Sequence, residues 1–347
     1  MNTTFFFITS GLFLGWSLGA NDAANLFGTA VGTKVIKFKS AAYIMSIFVI
    51  IGAVASGAGA SHTLGKLGAI TSLSGAFIVA LSAGITVFLM TRYGLPVSTS
   101  QAIVGAIIGW NLFTSNPTSL STLSKIVMTW ILCPVLAAIF SILLYRLFKL
   151  KTRTLKLNLF MRYYYIRLGL IIVGAFGAYS LGANNISNVM GVFTNAIDIP
   201  TISWFIFTIN KTEILFFIGA LAIAVGIFTY SKNVMSTVGN GLYRLSPSTA
   251  LIVVLSSSLV LFLFASASLQ NLLIQLHIPP IPLVPVSSSQ AVVGAVIGIG
   301  LARGDRNINF RKLGTIAIGW LLTPTGSLLL SYISLFFMQN VFMQSVF

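Results

Sequence analysis

Pro-Val-Ser-Thr-Ser-Gln at 96–101 and Pro-Val-Ser-Ser-Ser-Gln at 285–290 put three hydroxyl residues and an amide one valine after a proline. Proline ends whatever element precedes it, and serine and threonine are favoured N-caps for the helix that follows. At such a terminus the first backbone N–H groups lack partners and carry the positive end of the helix dipole. With hydroxyls and an amide added, each segment is a candidate anion site that needs no lysine or arginine. Its ligands would be Ser98, Thr99, Ser100 and Gln101 in one copy and Ser287, Ser288, Ser289 and Gln290 in the other. A self-satisfied helix start would explain a single copy. Two copies, each followed by glycines that let backbones approach closely (AIVGAIIG and AVVGAVIG), favour a shared ligand.

A second pair of segments supplies the other polar groups. GANDAANLFG at 19–28 matches GANNISNVMG at 182–191. The chain has only four acidic residues, and Asp22 is the one in the middle of an apolar stretch, where an ionised side chain is expensive unless partnered. Carboxylate and amide oxygens suit a hard cation, and amide N–H groups suit an oxyanion. Asn21, Asp22, Asn184 and Asn185 are therefore the candidate ligands of a coupling cation, and Asn25 and Asn188 join the anion's ligands. Cation and anion held together would offset each other's desolvation.

These residues need a scaffold that brings two distant segments to one place, and the repeats describe it. A third block, WILCP at 130–134, recurs as WLLTP at 320–324, so three blocks recur in one order. Equivalent loops carry opposite charge. Residues 111–124 have no basic residue, while their counterpart 301–312 has four. Lys34, Lys37 and Lys39 follow the first motif, and only Lys211 follows the second. With basic loops inside, the two halves are expected to be inverted, an architecture of secondary transporters. Threading with the N-terminus outside leaves only Lys66, Lys125 and Lys211 on the outer side. The central segment Arg146 to Arg167, with seven basic residues, lies in the cytoplasm, and both termini lie outside.

Composition agrees with a chain that lives in lipid. Charged residues make up 7% and apolar residues 56% of 347, too little charge to coat a soluble protein of this size. Apolar stretches long enough for a hydrocarbon core about 30 Å thick recur throughout. The expected fold is an all-α multi-pass membrane protein of two inverted repeats, with about 10–12 transmembrane segments and broken or re-entrant Ser-rich hairpins. The expected crossings are 5–33, 41–61, 70–91, 94–113 and 125–146, then 163–196, 212–231, 248–268, 283–302 and 313–338. Residues 1–146 form the first repeat, 147–162 a basic cytoplasmic linker and 163–347 the second repeat. The first crossing of each half, long and rich in Gly and Asn, is expected to break at its motif. The formal charge of +16 reflects cytoplasmic loops rather than nucleic-acid binding. One cysteine, Cys133, excludes a disulfide framework, and His62 and His277 have no metal-ligand spacing. Asp305 reads as solvated, Asp198 and Glu213 as outer-edge residues, His62 and Lys66 as wet, and the five tryptophans as packing or interface residues.

The paired motifs, with IGALAIAVGIFTYSKNVMSTVG at 218–239, resemble the inorganic phosphate transporter family, the PiT-type permeases, over essentially the whole chain. The resemblance implies an all-helical inverted repeat that imports phosphate with Na⁺ or H⁺. It assigns substrate and ion sites to Asp22, Asn25, Asn185, Asn188 and the Ser/Thr residues of 98–100 and 287–289. Three positions depart from the family's usual pattern: Asn185 where many members have Asp, Gln101 and Gln290 where many have His, and Ser236 where many have Glu. Losing titratable groups favours Na⁺ over H⁺ as the coupling ion, because sodium needs only oxygen ligands. The implied partners are inorganic phosphate, Na⁺ and membrane lipids, without cofactor or nucleic acid, and with pairing of two copies left open. The location would be the plasma (inner) membrane. A carrier of sulfate or another tetrahedral oxyanion, and a passive anion channel, remain as alternatives. A transferase is disfavoured, since the motifs offer one acid and no His.

Overall fold

The computed structural model describes residues 2–93, 97–154, 158–198, 201–204, 207–238, 245–304 and 310–347. Of the residues and segments singled out above, Pro96, Lys156, Asp305 and Arg306 lie outside that description, as do the side chains of Arg153, Trp204, Ser236 and Lys312.

The first half folds as α1 (Asn2–Gly32), α2 (Phe38–Ser56), α3 (Ala58–Leu67), α4 (Leu73–Arg92), α5 (Thr99–Phe113) and α6 (Leu120–Thr154). The second half follows as α7 (Leu159–Met190), α8 (Lys211–Thr229), α9 (Ser231–Val238), α10 (Pro247–Ala265), α11 (Ala267–Gln275), α12 (Ser288–Arg303) and α13 (Phe310–Asn340). Seven of these are long and apolar enough to cross a membrane, among them α2, α4, α8 and α10. The chain is a multi-pass membrane protein. The helix starts carry the caps their residues favour. Ser72 accepts from Gly75 N (3.2 Å), Asn158 from Met161 N (2.8 Å) and Ser246 from Thr249 N (3.3 Å). Glu213, in the first turn of α8, accepts from Asn210 N (2.9 Å), half of a capping box. α12 ends on Gly304 at φ +69°, the left-handed C-cap that glycine adopts without penalty.

The packing of one half repeats in the other with the roles exchanged. α1 packs on α8 as α7 does on α2, α1 on α4 as α7 on α10, and α5 on α13 as α12 on α6. Glycines make these contacts close. A Cβ at Gly19 would sit 2.0 Å from the Ile223 carbonyl, and one at Gly182, its counterpart in the other motif, 2.1 Å from the Val49 carbonyl. Directions can be read along the pairs. Gly15 lies against Gly219 and Ala20 against Gly226, so α8 runs with α1. Gly52 meets Tyr179 and Gly57 meets Ile186, so α7 runs with α2. Tyr43 packs on Phe228 and Gly57 on Phe216, so α2 runs against α8. α7 therefore runs against α1.

Two expectations change. α1 and α7 do not break at their motifs but pass through them as continuous helices of 31 and 32 residues. The motif asparagines find partners on other elements, as described below, so no unwinding is needed to satisfy them, and the motif glycines serve close packing. Most of 147–162, read as a linker, is helical, with α6 running to Thr154 and α7 starting at Leu159. One short ribbon accompanies the helices of this all-α fold. Ile202–Trp204 pairs antiparallel with Phe207–Ile209, Ser203 opposite Thr208.

Residues 341–347 fold back onto the first half. The Trp110 indole N–H, in the last turn of α5, donates to the Val346 carbonyl (2.8 Å), and the Ser74 hydroxyl donates to the Ser345 carbonyl. Val346 is fully buried. Trp110→Phe keeps an aromatic ring but removes the N–H and some buried volume, so purified protein is expected to lose at least about 1 kcal/mol of stability. An unchanged thermal melt would mean the contact contributes nothing.

Candidate functional site

Both Ser-rich segments start helices, as expected, and both starts are buried. Ser98 caps α5, its hydroxyl accepting from Gln101 N (3.2 Å), and Ser287 caps α12 in the same way from Gln290 N (3.3 Å). α5 and α12 have 15 and 16 residues, about 22–24 Å of helix, short of a hydrocarbon core of about 30 Å. Short length and buried N-termini fit hairpins whose tips lie within the protein. Each helix is fixed to a long one through glycine: a Cβ at Gly105 would lie 2.1 Å from the Pro324 carbonyl of α13, and one at Gly294 2.1 Å from the Pro134 carbonyl of α6.

The helix starts meet the asparagine motifs across the two halves. On α1, Asn25 Nδ2 donates to Ser288 Oγ (3.3 Å), which lies near the Asp22 carboxylate. Asn21 Nδ2 donates to Asp22 Oδ1 (2.9 Å) and to the Val97 carbonyl (3.4 Å). On α7, Asn188 Nδ2 donates to Ser100 Oγ (3.0 Å) and to Asn185 Oδ1 (2.9 Å). Ser100 Oγ donates onward to the Val286 carbonyl (2.9 Å), so the two Ser-rich turns touch. Asp22 and the candidate hydroxyls and amides are thus one buried cluster, with Asp22 1% exposed and Asn188 0%.

Several groups in the cluster have no partner: Thr99 Oγ1, Gln101 Oε1, Gln290 Oε1 and Asn188 Oδ1. Leaving a buried polar atom unpaired costs about 1–3 kcal/mol. Three such atoms at two helix N-termini, with Asn188 Oδ1 of α7 beside them, mark a place that something polar completes. Among the described residues, no group of three or more His, Cys, Asp or Glu could hold a metal, so oxygen ligands here come from Asp22 and from amides and hydroxyls.

One candidate ligand has another occupation. Asn184 donates to the Val286 carbonyl (2.8 Å) and accepts from the Val286 N–H (3.2 Å). Both ends of its amide are committed to the extended residue before α12, in the manner of a strand partner, so Asn184 fastens the turn. Cys133 was not expected near the site, yet its thiol donates to the Ser287 carbonyl (3.5 Å). The recurrence of WILCP and WLLTP signalled this contact, because it sets Cys133 and Pro134 against α12. His62 and Lys66 are exposed, and Asp198 and Lys211 make a 4.0 Å ion pair at the surface.

Fold and cluster together define a multi-pass membrane protein built around a buried site of hydroxyls, amides and one carboxylate. The model of the phosphate transporter family matches the chain over residues 18–166 and again over 159–331, and the chain belongs to that family, one of transporters rather than enzymes. Its relatives include a candidate phosphate permease of Methanocaldococcus jannaschii, 28% identical over 91% of each chain. The sulfate permease CysP of Bacillus subtilis is 26% identical over 94% of this chain and 85% of that one. A solved structure described as the sodium-dependent phosphate transporter shares the fold, with a TM-score of 0.74 and 23% identity over 97% of this chain and 100% of that one.

Proposed function

We propose that this protein imports inorganic phosphate across the plasma membrane, driven by a Na⁺ gradient, and that its two halves form an inverted repeat working by alternating access. The observation that carries this reading is the junction of two Ser-capped helix N-termini with Asp22 and the motif asparagines in one buried cluster. Hydroxyls, unpaired amides and backbone N–H groups replace the anion's hydration shell. Asp22, with the oxygens of Asn21 and Asn185, receives the sodium ion, whose charge offsets both the carboxylate and the substrate. Halves that run in opposite senses can present this site to either side by rocking about it. The domain division at the central connection, the cytoplasmic placement of that basic connection and the outward termini belong to the same reading. Sodium dependence in a protein of this fold supports the choice of ion.

A second reading has its own support, since a relative of similar identity is a sulfate permease. The experiment is labelled-phosphate uptake into proteoliposomes under an imposed Na⁺ gradient or an imposed pH gradient, with excess unlabelled sulfate as competitor. Uptake that follows Na⁺ and ignores sulfate is expected. Uptake driven only by the pH gradient overturns the ion, and abolition by sulfate overturns the substrate. Current passing without gradient coupling would make the protein a channel.

A further inference from the structure

Asn188 combines a locked orientation, which Asn21 and Asn184 share, with an amide oxygen that is buried and has no partner. Asn185 donates its own amide proton to the Leu181 carbonyl (3.3 Å), which presents Asn185 Oδ1 to Asn188 as an acceptor. Ser100 gives its proton to the Val286 carbonyl, so its oxygen too can only accept from Asn188. Both amide protons of Asn188 are thereby spent, and turning the amide over would set its oxygen against two acceptors. Its Oδ1 is left as a fixed acceptor, wholly buried and unpartnered, beside the first turn of α5. Thr99, Gln101 and Gln290 also carry unpartnered oxygens, but a hydroxyl rotates and a free amide turns over, so each can present a donor instead. Asp22, the charged acceptor of the cluster, already accepts from Asn21.

We infer that Asn188 Oδ1 selects the substrate by accepting the P–O–H hydrogen bond of hydrogen phosphate, so that the site takes protonated tetrahedral oxyanions and rejects those without a hydroxyl. This rests on the phosphate reading above and names the group that separates phosphate from sulfate. Sulfate at neutral pH has no proton to offer, so its oxygen would face an oxygen that cannot move away. Sites built to hydrogen-bond a substrate hydroxyl discriminate strongly against analogues lacking it, since the buried group is then left unpaired. Asn25, the counterpart of Asn188, does not repeat the device: it is only half-buried, and it donates to Ser288 rather than to a residue of its own motif.

Fluorophosphate is the decisive probe, being close to hydrogen phosphate in shape and, at mildly alkaline pH, equal in charge, but without the hydroxyl. Inhibition of labelled-phosphate uptake in proteoliposomes by unlabelled phosphate, fluorophosphate and sulfate gives the preference. The wild-type protein is expected to favour phosphate over fluorophosphate by about a hundredfold or more. Asn188→Ala removes the acceptor. Asn185→Ala keeps it but frees one Asn188 amide proton, so the amide can turn over. Each is expected to reduce the preference to below about tenfold. Where a variant no longer transports, anion-dependent shifts of its melting temperature yield the same ratio. A wild-type preference near unity, or an unchanged preference in either folded variant, overturns the inference. So does an Asn188→Ala variant whose Na⁺ half-saturation rises while both anions weaken equally, which would give Oδ1 to the cation. Failure of the wild-type protein to bind or transport any phosphate would instead overturn the functional reading beneath it.

Discussion

Asp22→Asn is expected to fold, insert and lose gradient-driven phosphate uptake by at least about a hundredfold, and Asp22→Ala to abolish it. The protein itself shows why the asparagine should be tolerated. Asn185 occupies the matching position of the second motif, within an unbroken helix and at 1% exposure. An amide oxygen at position 22 can still accept from Asn21 Nδ2, the hydrogen-bond partner of the carboxylate. What disappears is the single negative charge of a buried cluster. Removing one member of a buried charge pair costs about 3–5 kcal/mol because the other is left uncompensated. Here the uncompensated member is the arriving cation, and about 3 kcal/mol corresponds to a hundredfold or more in its affinity. Two readouts separate coupling from substrate binding: the Na⁺ half-saturation should rise steeply, while phosphate exchange without a gradient should fall less. Uptake at the wild-type rate in Asp22→Asn, at matched expression, would remove Asp22 from the mechanism.

Much of this arrangement is legible from residue types alone, and the remainder is hidden for identifiable reasons. The expected crossings lie within a few residues of the helices, as with 70–91 against Leu73–Arg92 and 212–231 against Lys211–Thr229, because apolar length and charged loops both report the membrane. The N-capping serines are visible because proline and hydroxyl chemistry is local. Helix continuity through GANDAAN and GANNISN is not visible. A Gly-Ala-Asn run has low helix propensity, and only cross-helix partners such as Val286 for Asn184 and Val97 for Asn21 show that it need not unwind. The same holds for roles within a motif. Asn184, Asn185 and Asn188 look interchangeable as a sequence, yet one fastens a backbone, one fixes the amide of the third, and the third keeps a bare oxygen. Those differences come from who donates to whom over separations of about a hundred residues, which no local pattern encodes. α11 and the ribbon at 202–209 are short elements in connections, where the membrane imposes no pattern.

Gly105→Val and Gly294→Val should each abolish uptake although neither residue offers a ligand. α5 and α12 owe their positions to these glycines. A Cβ at either lies 2.1 Å from a proline carbonyl of the long neighbouring helix, and a second backbone contact follows one turn on, at Leu328 for Gly109 and at Ala138 for Gly298. The obstacle is backbone, so no rotamer change relieves it, and α5 must separate from α13, or α12 from α6. The shift carries Ser98–Gln101 or Ser287–Gln290 with it and breaks bonds near 3 Å, such as Asn188 to Ser100 and Asn25 to Ser288. Overpacking of this kind costs about 1–3 kcal/mol, and a misplacement of about 1 Å at a functional centre can cost a hundredfold in rate. Gly314, Gly319 and Gly326 on α13 are the controls, since a Cβ at any of them meets nothing within 4 Å. Alanine there should leave uptake unchanged and raise stability by about 0.5–1 kcal/mol. The prediction fails if Gly105→Val and Gly294→Val match those controls in both melting temperature and uptake. If they melt normally but do not transport, the contacts set the geometry of the site more than the stability of the fold, as expected where two short helices must each hold half of one anion shell.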